Sequence, residues 1–126
     1  MAKSARSAKA PANKVKFLHK PACTTCRKAR GLLEKEGVQL ELRDLDKERL
    51  SAGEIAELIG DRDYRKFLNT RNELYRRRKM SQNPPARSEA IRLMAAEPNL
   101  IRRPVVICGN QIVLGFDEEE LKKLVE

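Results

Sequence analysis

At 126 residues the chain has room for one domain with one core, and its 40 % apolar against 36 % charged residues implies a folded body under a very polar surface. No apolar run approaches the ~20 residues that span a bilayer, and three cysteines do not make a disulfide scaffold. The net charge of +9 is unevenly spread: Lys3, Arg6, Lys9, Lys14 and Lys16 lie in the first 16 residues, and residues 62–79 carry eight basic residues against Asp63 and Glu73. A local patch, more than the total, needs explaining.

Residues 1–13 are basic and lack an apolar h-region, so a disordered tail is expected there and not a secretory signal. Their lack of acids, with Ser and Arg present, is also the composition of an organelle transit peptide. One CxxC, an odd cysteine count and no export signal predict a cytoplasmic protein. Aromatics are 4 % and tryptophan is absent, which leaves Leu, Ile, Val and Ala to build the core.

Residues 14–18 alternate basic and apolar and end at the loop HKP, which predicts a strand. Thr24 to Glu36 sets Ala29, Leu32 and Leu33 on one helical face, with Gly37 as the residue after the cap. Val38, Leu40 and Leu42 alternate with Gln39, Glu41 and Arg43, a second strand with one apolar face. Strand–helix–strand order implies a right-handed crossover and two parallel strands. Ser51 with Glu54 forms a capping-box pattern for a helix through Ile55, Leu58 and Ile59 to Gly60.

Residues 61–79 read as helical but broken near FLNTR, and Asn83-Pro84-Pro85 reads as a loop. Arg87 to Ala96 is amphipathic through Ile91, Leu93 and Met94 and stops before Pro98. Pro104 opens PVVICGNQIVLGF, two apolar runs joined at Gly109-Asn110, a hairpin signal. Asp117 and three glutamates start a last helix whose apolar face is Leu121, Leu124 and Val125. The layout is βαβ, a helical block over about 51–97, then ββα. With the block lifted out, residues 14–126 have the plan of an α/β thioredoxin-like fold with a mixed four-stranded sheet.

The chemistry concentrates in HKPACTTCR, His19 to Arg27, at a strand-to-helix junction. Cys23 falls where a helix begins, and unpaired N–H groups with the positive end of the dipole stabilise an anion there. The thiolate is the reactive form of cysteine, so Cys23 is the candidate nucleophile, with a pKa below the ordinary ~8.5. Cys26 lies one helical turn on and can resolve an adduct on Cys23 or close a regulatory disulfide with it. His19, the single histidine, either tunes the thiol through a hydrogen bond or sits in a surface loop. Cys108, in VVIC, reads as core. Cys23, Cys26, Cys108 and His19 lack the second closely spaced ligand pair of a structural zinc site, and no metal is expected. Arg76 to Lys79 is a solvated helix face that could steer anions, meet an acidic protein or touch nucleic acid. Without an aromatic platform or helix-turn-helix pattern, direct sequence-specific DNA reading is not expected.

Together HKPACTTCRKAR, FLNTRNELYR, EPNLIRRPVV and GFDEEEL resemble the ArsC/Spx family of arsenate-reductase-like proteins, over roughly residues 14–126. The resemblance implies a thioredoxin fold with a helical insertion and an H-x3-C-x3-R element, which His19, Cys23 and Arg27 fit. It also implies oxyanion-holding arginines at Arg71 and Arg103, and a cis-proline at Pro104 beside the reactive cysteine. A guanidinium fork matches the oxygens of a tetrahedral oxyanion. Loss of one such clamp, at ~1.5–3 kcal/mol, weakens affinity roughly ten- to hundred-fold.

Two departures stand out. The glutathione- and glutaredoxin-dependent reductases use a third arginine where this chain has Gly115 or a neighbour, and they usually carry serine at position 26. CTTC and GFDEEEL resemble more the Spx branch, whose members bind RNA polymerase and use the CxxC as a redox switch, whereas His19 resembles the enzymes. The resemblance thus implies an arsenate-reductase-like thiol oxidoreductase, with a small oxyanion substrate. It would hold no bound cofactor and use an external donor (glutathione with glutaredoxin, or thioredoxin). The alternative is a Spx-like regulator that binds RNA polymerase and switches through a Cys23–Cys26 disulfide. A general thiol oxidoreductase without a dedicated oxyanion is the third reading.

Overall fold

The computed structural model describes residues 14–126; the basic tail expected over residues 1–13 lies outside the described residues. In chain order the elements are β1 (Lys14–His19), α1 (Thr24–Lys35), β2 (Gln39–Asp44), α2 (Ala52–Ile59), a 3-10 turn (Tyr64–Phe67), α3 (Glu73–Arg77), α4 (Arg87–Ala96), a second 3-10 turn (Pro98–Leu100), β3 (Val105–Cys108), β4 (Gln111–Leu114) and α5 (Glu118–Leu124). They divide into two compact units, residues 14–44 with Arg103–Glu126, and Leu45–Arg102.

The first unit is a four-stranded mixed sheet in the order β2-β1-β3-β4. β1 runs parallel to β2, with Lys14 opposite Gln39 and His19 opposite Asp44. It runs antiparallel to β3, with Phe17 opposite Val106. The expected hairpin joins β3 to β4 through Gly109-Asn110, and Gly109 takes the positive φ of 62° that such a tight turn needs. The period-2 alternation of β1 buries Val15 and Phe17, which pack with Ala29 and Leu33 of α1, Val106 of β3, and Leu121 and Leu124 of α5. α5 begins as its acids dictate: the Asp117 carboxylate accepts the Glu120 N–H at 3.1 Å.

The expected second strand forms as β2, and within its apolar alternation Leu42 is 41 % exposed. Leu40, on the same face, packs against the core. β2 is an edge strand with a neighbour on one side only, so its far end is left to solvent.

The second unit is helical. Ser51 and Glu54 form the expected capping box, with reciprocal hydrogen bonds of 3.1 and 2.9 Å. Of residues 61–79, only the 3-10 turn and the five-residue α3 are helical. Two polar side chains divide the segment: Asp63 accepts the Arg65 N–H and Asn72 the Leu74 N–H, and each restarts the chain as a cap. Between them Leu68 bridges Ile101, flanked by Asn69 N–H to Leu100 O at 2.7 Å and Arg102 N–H to Phe67 O at 2.8 Å.

α3 ends in a Schellman turn. The Met80 N–H donates to Tyr75 O and the Lys79 N–H to Arg76 O, and Met80 is buried just beyond. The left-handed position in such a turn normally takes glycine. Here it is Lys79, at φ 52°, the single non-glycine residue with positive φ among the described residues. A side chain with a Cβ costs about 1 kcal/mol in that conformation.

Candidate active site

β1 delivers the chain to Lys20, whose carbonyl accepts the Cys23 N–H at 2.9 Å and so closes the turn before α1. Cys23 takes the N-cap position with extended backbone, φ −78° and ψ 123°, and its carbonyl accepts the first helical bond from the Arg27 N–H at 3.0 Å. The thiol is therefore held at the helix's positive end. It is half-buried, while Cys26, one turn on, is 0 % exposed. All three cysteines are free thiols.

Burial pushes the Cys23 thiol upward, and that effect is outweighed. The backbone N–H and the thiol of Cys26, followed by the Arg103 guanidinium, hold it below the usual cysteine value. Cys23 makes no full capping hydrogen bond through its sulfur, but these donors face it closely enough to favour its charge. Cys26 behaves oppositely. Burial first, and the neighbouring Cys23 sulfur, push it up to about 11, against a weaker pull from the Lys20 backbone N–H and from Arg103. The two thiols are thus unequal, and Cys23 is the first of the pair to lose its proton.

Arg103 stands immediately before β3 and is joined to Pro104 by a cis peptide bond. Pro104 is buried, and its carbonyl accepts the Gly115 N–H at 2.9 Å. Gly115 is buried too, with φ 76°, a conformation that favours glycine where β4 turns toward α5. The structure therefore brings Cys23, Cys26, Arg103 and Pro104 into the first unit together.

His19 is not in a surface loop. It ends β1, is 5 % exposed, and its ring lies 5.2 Å from that of Phe17, tilted by 60°. Burial and the Arg30 guanidinium lower its pKa, and Asp44, opposite it in the sheet, partly offsets them. The charged form of the imidazole is therefore disfavoured. Arg27 is exposed on α1. Arg71 is exposed in the helical unit, where its N–H donates to Asn69 Oδ1 at 3.0 Å and Asn69 Nδ2 in turn donates to Asn99 O at 3.0 Å. Cys108 packs half-buried at the edge of the core. Among the described residues no group of three or more His, Cys, Asp or Glu side chains is placed to hold a metal ion, and no helix is long and apolar enough to cross a membrane.

Two residues act through their hydrogen bonds in ways their sequence context only partly signals. Gly115 was noted for the arginine it is not, and its backbone N–H on Pro104 is what it supplies. Asn69, inside FLNTR, accepts the Arg71 backbone N–H as an Asx turn, and an Asn where a helical pattern breaks is the signal for it.

Comparison with known proteins agrees with this geometry. The ArsC family model matches residues 18–124. The Global transcriptional regulator Spx of Bacillus subtilis (strain 168) is 27% identical over 107 residues, covering 83% of this chain and 82% of that protein. Among solved structures, an ArsC family related protein from Bacteroides fragilis superposes with a TM-score of 0.76 at 29% identity, over 87% of this chain and 96% of its own. The arsenate reductase from Vibrio cholerae gives 0.77 at 25% identity, over 88% and 97%.

Proposed function

Because this chain belongs to the ArsC family, we propose that it is a thiol oxidoreductase in which Cys23 attacks a small arsenate-like oxyanion and Cys26 resolves the adduct. The observation that carries this reading is the unequal pair: Cys23 at the N-cap of α1, lowered by the Cys26 donors and the Arg103 guanidinium, one turn before a buried Cys26 pushed up to about 11. The Cys23 thiolate bonds to arsenic(V) and displaces water after proton transfer to an oxygen. Cys26 then attacks the Cys23 sulfur, and the sulfur–arsenic electron pair leaves with arsenic(III). The Cys26 proton goes to the departing arsenite. An external thiol (glutathione with glutaredoxin, or thioredoxin) returns two electrons to the disulfide.

Arg103 offsets the charge of the oxyanion, Arg27 on α1 is a further guanidinium group of the same unit, and Arg71 is a clamp that the family resemblance alone assigns. Pro104 shapes the backbone beside the thiol. His19, buried at the end of β1, acts as a positioning residue for the strand that leads to the Cys23 turn. The protein works in the cytoplasm, where such donors are kept reduced.

The test is arsenate-dependent thiol oxidation by the purified chain. Arg103→Ala is expected to weaken apparent arsenate affinity roughly ten- to hundred-fold and to raise the pH at which Cys23 becomes reactive, because it removes a cation that favours the thiolate. Its turnover at saturating arsenate should fall less. No turnover with either donor system removes the reading, and donor oxidation without arsenate dependence replaces it with a general thiol oxidoreductase.

Three observations favour a second reading. Position 26 is cysteine, no arginine follows Gly115, and curated relatives carry the name Global transcriptional regulator Spx. On that reading the Cys23–Cys26 disulfide is a switch and the partner is RNA polymerase. Equal polymerase binding by the reduced and oxidised chain would dispose of it.

A further inference from the structure

We propose that Arg76, Arg77 and Lys79, at the C-terminal end of α3, form a docking surface for the phosphate backbone of duplex nucleic acid, contacted without regard to base sequence. The three side chains are exposed. Neighbouring cations are engaged locally: Arg65 with Asp63 at 3.0 Å, and Arg78 and Arg92 with Glu89 at 3.7 and 2.7 Å. Among the described residues, no carboxylate pairs with Arg76, Arg77 or Lys79.

Basic residues in a last helical turn complement the helix dipole, which accounts for Arg76 and Arg77 by itself. It does not account for Lys79. That residue occupies the left-handed position of the Schellman turn, where glycine fits without the penalty of a Cβ. A lysine that occupies that position despite the penalty adds an ammonium group to the turn. The turn also fixes the lysine backbone through the Lys79 and Met80 N–H bonds, with Met80 buried as the anchor, so the cation projects from a defined point.

The surroundings select the partner. The two large apolar residues that are exposed, Leu42 and Phe116, both belong to the first unit, so the helical unit shows no such residue beside the patch. A protein interface needs an apolar centre. Stacking of single-stranded bases needs an exposed aromatic platform. Tyr75 is half-buried, and Tyr64 is half-buried with its hydroxyl bonded to Pro85 O at 2.7 Å. Cations without apolar or aromatic company fit a phosphate backbone, where release of condensed counterions supplies the free energy. The net charge of +9 adds long-range attraction.

The experiment is a salt titration of a fluorescent mixed-sequence duplex with the full chain, reduced, by anisotropy. The combined variant Arg76→Gln, Arg77→Gln, Lys79→Gln should lower the slope of log affinity against log salt by about 2–3, and weaken binding on the order of 100-fold at low salt. Lys79→Gly alone separates function from structure. It should lower the slope by about 1 and yet raise the thermal midpoint by a few degrees, roughly the shift expected from relieving one left-handed residue. Four results overturn the proposal: no duplex binding by the unaltered chain at ~50 mM salt; wild-type affinity and slope in the triple variant, which assigns binding to the basic N-terminal residues; full affinity in Lys79→Gly; or poly-glutamate binding as tight as duplex, which assigns the patch to an acidic protein.

Discussion

Cys23→Ser is expected to abolish alkylation at neutral pH at this position and to reduce arsenate-dependent thiol oxidation by ~10³-fold or more. A serine hydroxyl stays protonated where this thiol ionises, so neither Cys26 nor Arg103 can recover the nucleophile. The loss should come without unfolding. Cys23 is half-buried at the N-cap of α1 and makes no full cap bond through sulfur. Serine is a preferred cap whose oxygen accepts an N–H of the first turn. The thermal midpoint should therefore equal or exceed that of the unaltered chain. A variant that keeps fast alkylation would place the reactive thiol at Cys26 or Cys108.

Phe17→Ala is expected to cost ~3–5 kcal/mol, a large share of the ~5–15 kcal/mol by which domains of this size are stable. Phe17 is 0 % exposed at the middle of β1, opposite Leu42 in one neighbouring strand and Val106 in the other. Its ring fills the space among Ala29 and Leu33 of α1 and Leu121 of α5 and leans on His19. Alanine leaves a cavity that three elements would have to move to close. Urea unfolding measures the change; a loss below ~1 kcal/mol would mean that the core closes around the gap and that Phe17 does not organise it. Because the same ring supports the end of β1 and the face of α1, partial collapse there should also slow Cys23 alkylation.

Signals that act within a few residues are legible in the sequence. The Ser51–Glu54 box, the Asp117 cap, the Gly109-Asn110 turn and the 3.6-residue stripes of α1 and α4 each specify their own element, and their order specifies the sheet. What depended on long-range packing was not. Alternation in β2 could not say that this strand ends up at an edge with Leu42 exposed. A lone histidine before a Lys-Pro turn looks like loop, and only the register of β1 with β2 buries it. The helical pattern of residues 61–79 lost to Asp63, Asn69 and Asn72, whose side chains satisfy backbone groups that a helix would have used. The strand-to-helix junction marked Cys23 from the sequence. That Arg103, eighty residues away by number, is the cation beside it needed either the resemblance or the fold.

The most direct test is a pH titration of thiolate ultraviolet absorbance on the reduced chain, repeated on Cys23→Ser and Arg103→Ala. One thiol should ionise below the ~8.5 of free cysteine; its signal should vanish in Cys23→Ser and move to higher pH in Arg103→Ala, with Cys26 ionising only near 11. A first ionisation at or above the free-cysteine value, or one that survives Cys23→Ser unchanged, would contradict the assignment of the nucleophile.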